Sequence, residues 1–280
     1  MPIRSGSYGY LKGPGPIPHN NKLAFRDVFK SPPKMPSSLF LTKWMPDAYD
    51  QGAEGSCVYN SKARMDQYSS FRSGGPNIMF SRQFGYWCGR KEQGTLTQDS
   101  GDFIHSAYHV GRFYGIIPES EWAYIPPTNG NPGNMFTEPP QSCFDDATKD
   151  QQHFYAEIQD GDIEAMKMCI AHSFPFQDGF QVPDTFEDPN WDFILDTSCL
   201  TGNFVGGHST VKVGYDDNFK TKDGPGAFLV YNSWGQDWGV PDPTRGVKGL
   251  FWVSYKFIQN TQVENDIWME RFLNQSQSLT

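Results

Sequence analysis

No apolar run in this chain approaches the ~20 residues that a membrane-spanning helix needs. The opening Met1-Pro-Ile-Arg-Ser-Gly6 also lacks the apolar core of a secretory leader. Positive charge is in short supply too. The 23 Lys and Arg residues face 32 Asp and Glu, a net charge of −9, which excludes a general electrostatic attraction to nucleic acid or anionic lipid. Cysteine is scarce and scattered. Cys57, Cys88, Cys143, Cys169 and Cys199 form an odd-numbered set with no Cys-x-x-Cys pair, which argues against a disulfide framework and against a structural zinc site. His105 and His109 sit four apart, as zinc ligands on one helix face can. No Glu follows His105 and no third ligand accompanies them, so a solvated helix face is expected. These absences predict a protein with no metal, no cofactor, and no nucleic-acid or membrane partner. The expected setting is a reducing one, cytoplasmic or particle-associated. Nothing in the sequence marks an oligomeric state.

What is present points to a packed globular protein with many turns. Aromatics make up 15% of the chain, with 28 Gly and 21 Pro among 280 residues, so a large interior is available and disorder is not the default. Residues 1–35 carry Gly13-Pro-Gly-Pro16 and Pro32-Pro33 and read as an irregular N-terminal extension. The main domain is expected over 36–265, with a helical lobe at about 50–125, a β lobe at about 150–260, and a C-terminal tail at 266–280. In the first lobe, Val58 to Arg72 is free of Gly and Pro. Phe103, Ala107, Val110 and Tyr114 recur at helical spacing, with Ser100 as a candidate N-cap and Gly115 as a stop. Segment 125–150, rich in Pro and Gly, reads as a long loop. After a short helix near 160–171, Val211/Val213, Phe228/Val230 and Phe251/Val253/Tyr255 alternate as half-buried antiparallel strands do, with a turn at Asp223-Gly-Pro-Gly226.

Three segments carry chemistry: Gln51-Gly-Ala-Glu-Gly-Ser-Cys57, Gly206-Gly-His208 and Asn232-Ser-Trp-Gly235. A thiol is a weak nucleophile until its pKa is lowered, which an imidazolium partner or the first turn of a helix can do. Cys57 stands at the start of the Gly- and Pro-free stretch, and Gly55 lets a substrate backbone approach. An Asn can hold an imidazole in one tautomer, and the Gln51 amide can hydrogen-bond a developing oxyanion. Trp234 is placed to shield an Asn232–His208 bond from water. Each residue alone would more often be structural; the order Gln, Cys, His, Asn is what carries the reading.

These residues resemble the papain-like (cathepsin-type) cysteine peptidases, in the microbial or viral branch. That family has a Gln-Gly-x-x-Gly-Ser-Cys segment, a His opening a strand that ends in Gly-Tyr, and an Asn-Ser-Trp-Gly-x-x-Trp-Gly block. The last two read here His208-Ser-Thr-Val-Lys-Val-Gly-Tyr215 and Asn232-Ser-Trp-Gly-Gln-Asp-Trp-Gly239. Phe80-Ser-Arg-Gln-Phe84, Asp99-Ser-Gly101 and Gly249-Leu-Phe-Trp-Val-Ser-Tyr255 extend the likeness over roughly 36 to 258. Two departures occur together. Glu54 stands where the family usually has a bridging Cys, and Asp99 stands in the segment that usually holds its partner, so the resemblance implies that the usual disulfide is missing as a unit.

The fold implied is α+β and two-lobed, a helical lobe packed on an antiparallel, barrel-like β lobe with the site in the cleft between. The resemblance implies Cys57 as nucleophile, His208 as acid and base, Asn232 as its orienter, and Gln51 as oxyanion donor. Ser100 and Gly101, matching the family's Gly-Gly wall, with Gly207 and Trp234, are the implied substrate contacts, and the partner is a protein or peptide substrate. Hydrolysis of peptide bonds is the expected reaction. A thiol acyl transferase on the same scaffold and a non-catalytic particle or scaffold protein remain the alternatives. Residues 1–35 lack the length of helix that an inhibitory prosegment of this family uses, so a retained extension is expected, although an extended piece could still reach the groove.

Overall fold

The longest helix forms over a stretch without Gly or Pro and stops just before Gly74-Gly75. α1 (Phe25–Val28) is a single turn, and α2 (Cys57–Arg72), α3 (Arg82–Gln93) and α4 (Ile104–Phe113) make the helical lobe. α5 (Gln141–Ala147), α6 (Ile163–Ala171) and α7 (Tyr255–Ile258) follow. In the computed structural model, residues 8–16, 23–31, 33–128, 131, 133–149 and 154–271 are described. α3 begins with the Ser81 side chain accepting from the Phe84 N–H at 3.1 Å and ends at Gly94 in the left-handed region. α4 starts later than its sequence suggests: Phe103 is the N-cap and Ser100 caps nothing, because Gly101 takes φ +70° and breaks the approach.

The strands are β1 (Leu23–Ala24), β2 (Ser38–Phe40), β3 (Phe154–Ile158), β4 (Phe176–Pro183), β5 (Ile194–Leu195), β6 (Phe204–Thr221), β7 (Gly224–Tyr231), β8 (Leu250–Ser254) and β9 (Glu264–Arg271). They form one sheet in the order β1-β3-β9-β4-β6-β7-β8-β5, with β2 added along β6. Most pairs are antiparallel; β1–β3 and β5–β8 are parallel. The pairing path is open, and β1 and β5 lie at its two ends.

Several local expectations change here. Part of 1–35 joins the sheet as β1, the 125–150 segment contains α5, and residues 266–271 of the expected tail belong to β9, inside the sheet. Residues 1–7, 17–22, 32 and 272–280 lie outside the described residues. Tyr255 opens α7 instead of closing a strand. The central strands are buried on both faces, not half-buried, because α2 lies against β4 and β6. That places polar groups in the interior, where they are matched. Lys62 of α2 pairs with Asp66 and with Glu270 of β9. Lys212 of β6 pairs with Asp178 of β4 and with Glu264 of β9, the latter at 3.0 Å. His105, expected on a solvated face, is buried against the Trp268 ring at 5.3 Å. Among the described residues no helix is long and apolar enough to cross a membrane, and no group of three or more His, Cys, Asp or Glu is placed to hold a metal.

Candidate active site

Cys57 is the first residue of α2, where unpaired backbone N–H groups favour negative charge. It is fully buried. Burial pushes its thiol up to about 11, opposed by the backbone N–H groups of Ser209, Gly9 and Val58. The sulfur thus lies against the residue that follows His208 and against the N-terminal arm. A thiol whose pKa is lowered by its helix start, as the sequence leads one to expect, does not describe this state.

His208 sits in β6 opposite Phe180 of β4. Its Nε2 is 2.7 Å from Asn232 Oδ1. The same Oδ1 accepts the Ser233 N–H at 2.8 Å, and a backbone N–H can only donate, so this atom is the amide oxygen and His208 Nε2 is the protonated nitrogen. Nδ1 is then the basic atom, and among the described residues it has no hydrogen-bond partner. The ring is fully buried. Burial lowers its pKa to about 4, resisted by the Asn232 bond and by Asp178. The Trp234 indole lies 5.4 Å from the imidazole, centroid to centroid, over the Asn232 side. Trp238 packs on Trp234 at 5.3 Å and supports that wall from behind.

Gln51 reaches the same corner through the chain: its N–H bonds Ser233 O at 2.9 Å, and Ser233 Oγ donates to Gln51 Oε1. With the oxygen end fixed there, Nε2 turns toward the entry of α2 and donates to Glu54 O at 2.8 Å. Glu54 and Asp99 are the two positions without the usual cysteines, and only Asp99 bonds across to the Glu54-Gly55 segment. Asp99 accepts the Gly55 N–H at 2.9 Å and the Tyr86 hydroxyl. Glu54 is buried beside it, and burial, with Asp99 adding, pushes its carboxyl up to about 8. All five cysteines are unbridged.

The cleft is occupied by residues 8–12 of the chain itself. The Asp102 N–H donates to Gly9 O at 2.7 Å and Leu11 N–H to Asp102 O at 2.9 Å, a parallel bridge, while Tyr10 N–H bonds Gly207 O at 2.9 Å. Tyr8 packs its ring at 5.9 Å from both His208 and Trp234. Gly9 passes so close to the nucleophile segment that a Cβ on it would stand 1.7 Å from Gly55 O. Lys12 Nζ ends the contact on Gln262 O at 2.8 Å. An extended piece of the irregular N-terminal segment thus fills the groove, held by backbone pairing that needs no helical body.

Of the residues expected to touch substrate, Gly207 and Trp234 line this track and Gly101 borders it, with room for Gly9 only because it lacks a Cβ. The Ser100 hydroxyl meets Thr95, and among the described residues no backbone bond joins Ser100 to residues 8–12. The wall's pairing groups belong to Asp102, which sequence reasoning passed over because it looked for a second glycine. Gly179 and Asn265 were also missed. Gly179 was one glycine among many, and Asn265 lay at the end of the expected domain.

Comparison with known proteins now adds to the geometry. A search for relatives finds an uncharacterized peptidase C1-like protein of Acanthamoeba polyphaga mimivirus, 28% identical over 230 residues, 79% of this chain and 68% of that one. Among solved structures, xylellain, a cysteine protease from Xylella fastidiosa, superposes with a TM-score of 0.78 at 28% identity, covering 98% of this chain and 99% of its own. Digestive procathepsin L 3 of Tenebrio molitor shares the fold at a TM-score of 0.65 and 16% identity, over 97% of this chain and 76% of that one. The sequence pattern of the papain family cysteine proteases matches residues 42–261, most of the chain, and the chain belongs to that family.

Proposed function

We propose that the chain is a cysteine-type peptidase that works through a thioester on Cys57 and is latent while residues 8–12 fill the cleft. The observation that carries the reading is the fixed tautomer of His208, whose Nε2–H is held by Asn232 and whose basic Nδ1 is left without a partner among the described residues. Once the arm leaves, water and substrate replace it and the burial penalty on the thiolate and the imidazolium falls. A proton then moves from Cys57 to His208 Nδ1, and the thiolate attacks the substrate carbonyl. The Cys57 N–H at the helix start and the Gln51 amide face the developing oxyanion. His208 gives its proton to the leaving amine as the C–N bond breaks, then takes one from the water that hydrolyses the thioester. Asn232 keeps the ring oriented throughout, and no cofactor is needed for any step.

The direction of the arm explains why it blocks rather than reacts. The leaving amine must lie beside His208, so the C-terminal side of a substrate lies toward His208 and Trp234. In the arm that place holds Tyr8, the N-terminal end, while Tyr10 and Leu11 run off along Asp102. The chain runs opposite to a productive substrate, which supports its reading as an inhibitor rather than a trapped product.

The test is alkylation by an epoxide thiol reagent together with peptide cleavage, on the full chain and on a Gly9→Ala variant. Expected are an adduct on Cys57, faster in the variant, and peptide hydrolysis that Cys57→Ala abolishes. Reaction first at another cysteine would defeat the nucleophile assignment. Labelling with no cleavage would favour a non-catalytic role, and transfer to an added amine in preference to water would favour an acyl transferase.

A further inference from the structure

Tyr10 does more than cross the cleft: its side chain is buried in a pocket beside β4 and β6, and the pocket has a chemistry of its own. The residue is buried and its hydroxyl donates to Asn265 Oδ1 at 2.7 Å. Two glycines make the room. A Cβ on Gly179 of β4 would lie 2.2 to 2.5 Å from atoms of the phenol ring, and one on Gly207 of β6 would lie 2.2 Å from Tyr10 O. The floor is polar and oriented. Asn265 Nδ2 donates to Thr261 O at 3.2 Å, and a carbonyl can only accept, so the amide cannot turn over and the oxygen is what faces the pocket. The surroundings agree in sign: burial raises the Tyr10 pKa, and Asp266, Asp178 and Asp160 raise it further, so the phenol stays a neutral donor.

A flat ring-sized slot between glycines, ending in a fixed acceptor, fits a phenol better than a phenyl ring. Phenylalanine would fill the slot but leave Asn265 Oδ1 dehydrated and unpaired, and such an orphaned acceptor is where hydrogen-bonding sites gain their selectivity. We propose that this pocket selects a tyrosine side chain on the acyl side of the substrate, Asn265 reading the hydroxyl. The inference rests on the peptidase reading above. The arm fills the pocket with the side chain that a substrate would bring, in the opposite chain direction.

Two readouts test it. In the full chain carrying Tyr10→Ala, which vacates the pocket, peptides are compared with Tyr, Phe, Leu or Arg placed in turn at each acyl-side position. One position should show Tyr above Phe by roughly tenfold or more in kcat/KM, and Asn265→Leu should reverse that order. Equal rates for Tyr and Phe at every position overturn the proposal, as does a preference for Arg or Leu with Asn265 intact. The second readout needs no turnover. Cys57 alkylation by iodoacetamide should be roughly tenfold faster in full-length Tyr10→Phe than in the unaltered chain, and the difference should vanish in an Asn265→Leu background. If no peptide is cleaved, the peptidase reading fails, while the labelling comparison still decides the pocket: an unchanged rate in Tyr10→Phe overturns it.

Discussion

Lys62, Lys212 and the Cys57–His208 pair are all withdrawn from water, yet the outcome for their charge is opposite. Burial pulls both lysines down, but Asp66 and Glu270 around the first, and Asp178 and Glu264 around the second, outweigh it, and both end above their ordinary value. Burial acts on His208 and Cys57 as well, and there it wins, because an amide and backbone N–H groups are weaker partners than two carboxylates. The lysines are buried by the fold and permanently matched. The Cys57–His208 pair is covered in part by residues 8–12 and is not ion-paired with a carboxylate, so on the proposed reading its protonation state depends on whether that segment is in place. What separates a structural ion cluster from a switchable one is who does the covering.

The largest effect that would break this comparison comes from Lys212→Met. It leaves Asp178 and Glu264 buried without their cation, and urea unfolding should show a loss of about 3–5 kcal/mol. His208→Gln removes no matched charge and should cost far less in the same measurement. Comparable losses would mean that His208 is charged in the covered state. Gln51→Ala comes next: with the cleft open, the acylation rate should fall by roughly 10²–10³, with little change in substrate binding. An unchanged rate would place the oxyanion away from Gln51. Gly9→Ala, which puts a methyl into the Gly55 carbonyl, should expel the arm at a cost on the scale of about 1–3 kcal/mol of overpacking. Cys57 labelling should then be roughly tenfold faster or more, with global stability little altered.

The smallest and most discriminating effect is in pH. Covered, His208 is held at about 4, below its ordinary 6.5; uncovered, it returns toward the ordinary value. Between those values the open state binds a proton that the covered state refuses, so the hold of the arm is full above about pH 6.5 and weakens as pH falls toward 4. Asp178 and Lys212, the charges that face the ring, act on it in opposite directions and stay in place in both states. The Cys57 labelling rate of the full chain, divided by that of Tyr10→Ala, should rise on acidification through that window. A flat ratio would show that the arm does not dry the imidazole.

The parts of the molecule legible in the sequence are those whose signal is local. Cys57 opening α2 follows from a Gly- and Pro-free stretch after Gly55-Ser56, and β6, β7 and β8 follow from their alternating apolar residues. β9 was hidden for a physical reason. Glu264 and Glu270 in Glu-Asn-Asp-Ile-Trp-Met-Glu-Arg turn inward to meet Lys212 and Lys62, so its polar residues face the core and the period-two signal is inverted. The arm was misread because Tyr8-Gly9-Tyr10 has no periodicity of its own. Its place is set by complementarity to a cleft that exists only once Gly55, Asp102 and Gly207, far apart in the chain, have met. The resemblance put Cys57, His208, Asn232 and Gln51 in one site, but not Asp102, Gly179 or Asn265, whose part is visible only with something lying against them.

Covering the sulfur also bears on how long the molecule keeps. Oxidants act on the thiolate, and a cysteine that reaches the sulfinic or sulfonic stage does not come back unaided. With its pKa held at about 11 and Gly9 lying over it, Cys57 is protonated and out of reach of peroxide at neutral pH. Asp99 holds the neighbouring wall through the Gly55 N–H, with no disulfide there, so the reducing conditions that protect a thiol do not loosen that wall. If Cys57 is the nucleophile as proposed, the arm is a preservative as well as a plug: a stored molecule keeps its one irreplaceable atom in the reduced state, and ageing begins only when the cleft opens.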